Sequence, residues 1–275
     1  MGSGREAPRV ICAPARPHVL ALDRRSLLAA LASGAFVVAC DNNPELGRSQ
    51  FAIVPDEQVA EMADQAWADL LAQAPQVRDP ALAGRLDQVG RRVAGVSGRE
   101  ALAWEFVVFD RPEVNAFVLP NGKVAAFRGL MELARDDDEL AGVIGHEVGH
   151  VLARHPAERL SQQLAVELGV AAVQLALSGG EYGEHASEIA GALGMGALYG
   201  VILPYSRAHE LEADRLGVTL AARAGFDPAG ALRFFERMAE VSDRRDQPPE
   251  VLSTHPADST RLTALREVLA RMGSA

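Results

Sequence analysis

Residues Asp136–Arg154 read DDDELAGVIGHEVGHVLAR, and the rest of the chain can be placed around them. Three acidic residues, Asp136, Asp137 and Asp138, stand before an apolar-periodic run. Their side-chain oxygens can accept the unpaired N–H groups of a helix N-terminus, and their charge suits the positive end of the helix dipole. Leu140, Val143, Ile144, Val148, Val151 and Leu152 recur at helical spacing, so one helix face is expected to be buried. His146 and His150 are four apart and lie one turn above the other on a single face. Two imidazoles so placed can grip one metal ion. Glu147 sits about 100° round the helix from His146, near enough to reach a water held at that metal without becoming a ligand.

The pattern is HExxH, the motif of zinc-peptidase helices, with the glutamate as general base. A half-buried helix whose histidines satisfy local hydrogen bonds would contain the same two residues, so the decision rests on a third ligand elsewhere. The stretch Pro204–Gly217, PYSRAHELEADRLG, offers one. Zinc held by two histidines needs another protein ligand and keeps a fourth position for water. Glu210 and Asp214 are four apart and share a helix face, whereas Glu212 points roughly 160° away from Glu210. Glu210 can therefore bind the metal while Asp214 receives an N–H from a ligand histidine. A solvated acidic helix is the plainer reading of this stretch if the HExxH is set aside.

The 275 residues suit one large domain or two small ones, with 48% hydrophobic and 23% charged residues as in ordinary globular proteins. A formal net charge of -10 without a basic cluster argues against a nucleic-acid partner. The two cysteines, Cys12 and Cys40, precede the expected domain, so neither a disulfide framework nor a thiolate metal site is built from them. Arg24-Arg25 followed by the short apolar run Ser26–Ala39 reads as an export signal, of lipoprotein or loosely twin-arginine type, over residues 1–39. Val37-Val38-Ala39-Cys40 resembles a bacterial lipobox, in which Cys40 is lipidated and becomes the mature N-terminus. Residues 40–50 are then the lipidated cysteine and a polar tether, and 51–275 a single domain.

Within that domain, Pro55–Gln73 has helical spacing with Asp56 as the expected cap, and Ala81–Val96 resumes the pattern after Pro75–Pro80. Trp104–Phe109 reads as a strand. Asn115–Leu119 and Lys123–Phe127, separated by Pro120-Asn121-Gly122, read as a hairpin. An edge strand beside a zinc helix can hold an extended substrate by β-augmentation, which makes Asn115, Ala116 and Phe117 the candidate substrate strand. Ala157–Leu203 reads as two helices around a Gly-rich break, and its apolar end, Gly191–Leu203, as a buried helix or a membrane-facing lid. Ala229–Val241 is an expected helix, and Ser253-Thr254-His255-Pro256 leads into a last helix through Arg261 and Leu265. The fold class expected is α+β: a mostly helical metallopeptidase domain with a small sheet or hairpin beside the HExxH helix.

Four motifs in order carry a family resemblance: Asn115-Ala116-Phe117; His146-Glu147-x-x-His150; Ser206-Arg207-x-x-Glu210-x-Glu212-Ala213-Asp214-x-x-Gly217; and Ser253-Thr254-His255-Pro256-x4-Arg261. From about Phe51 onward the chain resembles the HtpX / CAAX-prenyl-endopeptidase family of gluzincin zinc metallopeptidases, and most of all its periplasmic BepA/LoiP-like branch, here without tetratricopeptide repeats. The resemblance implies one zinc ion per chain, bound by His146, His150 and Glu210, with Glu147 as base and Asp214 behind a ligand. It also implies that His255 lies near the metal, where such members use this histidine to block the open site, and that Arg261 lies in the same neighbourhood.

The expected function is a zinc-dependent endopeptidase of the bacterial cell envelope, a periplasm-facing membrane lipoprotein acting in quality control. Its expected partners are unfolded or misassembled envelope proteins as substrate, and a membrane through the lipid anchor. The alternative is a chaperone-like envelope factor that binds clients and keeps its zinc site latent.

Overall fold

The computed structural model describes residues 40–178, 185, 187–189, 203–243, 255 and 259–273. The export-signal reading of residues 1–39 and nearly all of the apolar piece Gly191–Leu203 fall outside them. Among the described residues no helix is long and apolar enough to cross a membrane.

The described chain opens with an antiparallel hairpin, β1 (Cys40–Asn43) and β2 (Arg48–Phe51), in the register Cys40↔Phe51 to Asn43↔Arg48. Helices α1 (Asp56–Gln73) and α2 (Pro80–Ala94) follow as the periodicity predicts. The start of α1 differs in detail. Pro55 occupies the cap position without a side-chain bond, and Asp56 instead pairs with Arg154, 2.7 Å away.

Three strands form the sheet: β3 (Glu105–Phe109), β4 (Ala116–Val118) and β5 (Lys123–Phe127), in the order β3-β5-β4. β3 runs parallel to β5 and β4 antiparallel to it. The turn between β4 and β5 is the three-residue loop Pro120–Gly122. Gly122 N–H donates to the Leu119 carbonyl at 2.9 Å and adopts φ 84°, a left-handed conformation that glycine takes without steric cost. The central strand places small residues where both faces are covered. Ala125 packs with Trp67, Phe109 and Phe127 on one side, while Val124 and Ala126 join the main core with α2 and the HExxH helix on the other.

After the short α3 (Arg128–Leu133) comes α4 (Asp137–Leu152), the quoted stretch. The Asp136 side chain caps it by accepting from Glu139 N–H at 2.8 Å. One buried face was expected, yet every residue from Glu139 to Leu152 is buried. The reason is the set of glycines on the remaining faces. A Cβ on Gly142 would lie 2.5 Å from Ala231 Cα, and one on Gly145 would lie 2.7 Å from the Gly217 carbonyl oxygen. Backbones of α6 (Leu203–Arg223) and α7 (Ala229–Asp243) therefore press directly on α4. The remaining helices are α5 (His155–Leu177) and α8 (Ser259–Gly273). The α+β, mostly helical class is the one the chain adopts.

One expected segment is corrected. Asp41–Gln50 is part of the hairpin rather than a free tether. Asn43 Nδ2 donates to Gln50 Oε1 at 2.9 Å and to the Leu152 carbonyl at 3.2 Å, and Gln50 Nε2 donates to the Ala153 carbonyl at 2.5 Å. These amides satisfy carbonyls left over at the C-terminal end of α4. Their polarity, which suggested solvent, serves a buried cap.

Candidate metal centre

α4 presents His146 and His150, α6 presents Glu210 and Asp214, and His255 approaches from beyond α7. Sequence separations of up to 109 residues close here into one cluster. His146, His150, Glu210 and His255 are all buried, and each offers one ligand atom within 4.8 Å of the others.

The spacing among the first three is 3.1 Å from His146 Nε2 to His150 Nε2, 3.3 Å from His146 Nε2 to Glu210 Oε2 and 3.5 Å from His150 Nε2 to Glu210 Oε1. Ligands at about 2.0–2.1 Å from a tetrahedral zinc are separated by roughly 3.3 Å, so the set fits such an ion. Its charge fits as well. Arg261 donates to both oxygens of Asp214 at 2.7 and 2.8 Å. That leaves Glu147 and Glu210, whose two negative charges a divalent cation balances, with half-exposed Arg159 3.5 Å from Glu210.

His146 Nδ1 lies 2.9 Å from Asp214 Oδ1. A carboxylate accepts, so His146 carries its proton on Nδ1 and turns Nε2 toward the group. Burial and the Arg261 charge push the His146 pKa down, but Asp214 and Glu210 outweigh them and raise it to about 9. Burial, and then the His146 charge beside it, hold the His150 pKa well below its usual value. Burial raises the Glu210 and Asp214 pKa values, but hydrogen bonds from His146 and His255 bring Glu210 well below the usual carboxylate range, and the Arg261 guanidinium brings Asp214 below its usual value.

Glu147, on the same helix, is buried and faces His255, whose Nε2 lies 3.7 Å from Glu147 Oε1. His255 Nδ1 stands 2.9 Å from Glu210 Oε2 and 3.4 Å from His146 Nε2. It occupies the fourth corner of the donor set. Arg261 also reaches Glu210, at 3.1 Å, and its guanidinium stacks over Phe235 at 4.4 Å. Ser253, Thr254 and Pro256 lie outside the described residues, as does the side chain of Cys40.

Residues 80–269 match Peptidase family M48. The chain belongs to peptidase family M48. This M48 chain is 37% identical over 186 residues to the mitochondrial metalloendopeptidase OMA1 of Schizosaccharomyces pombe, covering 67% of this chain and 52% of that protein. It is 30% identical over 250 residues to the beta-barrel assembly-enhancing protease of Escherichia coli, covering 88% of this chain and 50% of that one. The chain spans about half the length of these curated relatives. Membership in this peptidase family implies a divalent metal.

Sequence reasoning passed over several residues around the M48 site. His155 Nδ1 lies 2.8 Å from His150 Nδ1, and its Nε2 lies 3.0 Å from Glu212 Oε2. Burial above all holds the His155 pKa down near about 4, so its ring is neutral at physiological pH. Arg48, in the segment read as a tether, bonds both Glu212 and Glu158. The available signal was a third histidine five residues past the second, with Pro156 opening a new helix.

Proposed function

We propose that this chain is a zinc-dependent endopeptidase that cleaves unfolded or misassembled proteins of the bacterial cell envelope, facing the periplasm and tethered to a membrane through lipidated Cys40. The observation that carries the proposal is the triangle of His146 Nε2, His150 Nε2 and Glu210, with edges of 3.1, 3.3 and 3.5 Å, and Glu147 on the same helix. The name beta-barrel assembly-enhancing protease, borne by a relative, supports the envelope assignment.

His146, His150 and Glu210 would hold one zinc per chain, which would supply Lewis acidity at the scissile carbonyl and make the attacking water more acidic. Glu147 accepts that water's proton and delivers it to the leaving amine. Asp214 fixes the His146 tautomer, and Arg261 fixes Asp214. The substrate lies along β4. Leu119 N–H donates to Lys123 and Phe127 N–H to the Asn115 carbonyl, so antiparallel alternation turns the main-chain groups of Ala116 and Val118 outward. On that side β4 has no strand partner among the described residues. Asn115 and Phe117 then support the strand, and its neighbours Ala116 and Val118 pair with the substrate.

The test is metal content and cleavage of a disordered protein such as casein by the full chain, with and without a chelator. One zinc per chain and chelator-sensitive cleavage are expected. Absence of bound metal would overturn the proposal.

A second reading, a client-binding factor with a latent zinc site, is favoured by one observation: His255 stands at the fourth corner that a reacting water needs. His255→Ala is expected to raise casein turnover by about tenfold or more if this histidine competes for that corner by about 1.4 kcal/mol. Unchanged turnover would argue that His255 does not block the site.

A further inference from the structure

His150 engages the protein through its second ring nitrogen, and the partner is another histidine. His150 Nδ1 lies 2.8 Å from His155 Nδ1, and His155 Nε2 lies 3.0 Å from Glu212 Oε2. Arg48 donates to both oxygens of Glu212, at 2.7 and 2.8 Å. Hydrogen-bond chemistry fixes the direction of this series. The Glu212 carboxylate only accepts, so His155 Nε2 carries the proton and donates it. His155 Nδ1 is then bare and accepts from His150 Nδ1–H. That leaves His150 Nε2 bare, and Nε2 is the atom that faces His146 and Glu210.

Local structure explains how His155 can turn back on a residue five positions earlier. α4 ends at Leu152, and Arg154 takes φ 55°, the only left-handed non-glycine among the described residues. This reverses the chain sharply enough to set the first residue of α5 against the last turn of α4. The conformation is disfavoured for a residue with a Cβ, and the Arg154–Asp56 ion pair helps to hold it.

We propose that His155 and Glu212 are positioning residues for the metal ligand His150, fixing the tautomer and orientation of its ring, and that Arg48 of the β1–β2 hairpin locks them in place. This rests on the reading of His150 as a ligand. It adds to the Asp214–His146 pair a second, longer support, and it ties the site to the hairpin that follows residue 39. The same groups could be read as a second metal site, because His155, His209 and Glu212 lie within ligand range of each other. The guanidinium argues otherwise. Arg48 already takes both oxygens of Glu212 and also bonds both of Glu158, at 3.0 and 3.0 Å, so the cation of this cluster belongs to the chain.

The test measures zinc affinity of the full chain by competition with a chromophoric chelator, which needs no turnover. His155→Leu, close in bulk but unable to accept, is expected to weaken zinc binding by about 10–100-fold, the usual effect of removing a ligand's hydrogen-bond partner. His155→Asn puts a carbonyl acceptor where Nδ1 stood and is expected to stay within about threefold of the unsubstituted chain. A purely packing role reverses that ranking, and equal affinity of His155→Leu with the unsubstituted chain would overturn the proposal. Should His155→Leu fail to fold, nitrogen-15 spectra of the unsubstituted zinc-loaded chain decide it. A proton on His150 Nδ1 is expected, and a proton on His150 Nε2 would overturn it. Two metals per chain would also overturn it, by making the cluster a site. No metal at all would sink the ligand reading itself, so the two failures are distinguishable.

Discussion

Glu147→Gln is expected to lower casein cleavage by about a hundred- to ten-thousand-fold, the usual contribution of a general base, with metal content unchanged. Glutamine matches the shape of the carboxylate and keeps hydrogen-bonding capacity, but it cannot accept the water's proton at neutral pH. Metal should be retained because Glu147 is outside the triangle of His146, His150 and Glu210. Buried among these groups, it also loses its charge on substitution, so any change in affinity should be small beside the change in rate. Metal analysis and a cleavage assay on the same preparation check both halves. Turnover close to that of the unsubstituted chain would remove Glu147 from its assigned role, and loss of metal would make it a structural member of the site.

The second large effect is expected at a residue that touches no substrate. A Cβ on Gly217 would lie 2.7 Å from His146 N and 2.8 Å from His146 Cα. Both are backbone atoms, so no rotamer change relieves the contact. Gly217→Val is therefore expected at or beyond the upper end of overpacking costs, about 3 kcal/mol. For a domain of this size that corresponds to a fall in Tm of about 10 °C. Zinc affinity should fall too, because the shift that accommodates valine carries Glu210 and Asp214 away from His146 and His150. Gly84→Ala is the contrasting control: nothing lies within 4 Å of its Cβ position, and alanine in an exposed helix should stabilise by about 0.5–1 kcal/mol. Equal melting temperatures for Gly217→Val and the unsubstituted chain would show that the α4–α6 contact is looser than described.

How much of this was legible in the sequence depends on the range of the physics. The cap, start and end of α4 are local, and the sequence places them to within two residues. The four-residue spacings of His146 with His150 and of Glu210 with Asp214 are helical geometry, so each pair could be assigned to one face. That the two faces meet is tertiary. Its local trace is the small residues Gly145, Gly149, Ala213 and Gly217, whose lack of bulk lets the two helix backbones meet and which turn out to be the contact surface. His255 could be placed only through the family resemblance. Asn43, Arg48 and Gln50 were misread because their partners lie 103 to 164 residues away, and a polar residue made to satisfy a distant buried group looks like any solvated one. Glu212 was correctly turned away from Glu210 and then left without a task, although His155 was waiting on that side.

The donors at positions 146, 150 and 210 belong to two helices, one ending at Leu152 and the other starting at Leu203, so an ion held there would also be a cross-link. It binds the folded arrangement and has no comparable site in the unfolded chain. At a free concentration a hundred times its Kd, it therefore adds about 2.7 kcal/mol to folding. On the proposed reading, metal supply would then set resistance to unfolding as well as turnover. Under scarcity the chain would be easier to unfold, and an unfolded chain is open to attack by other proteases.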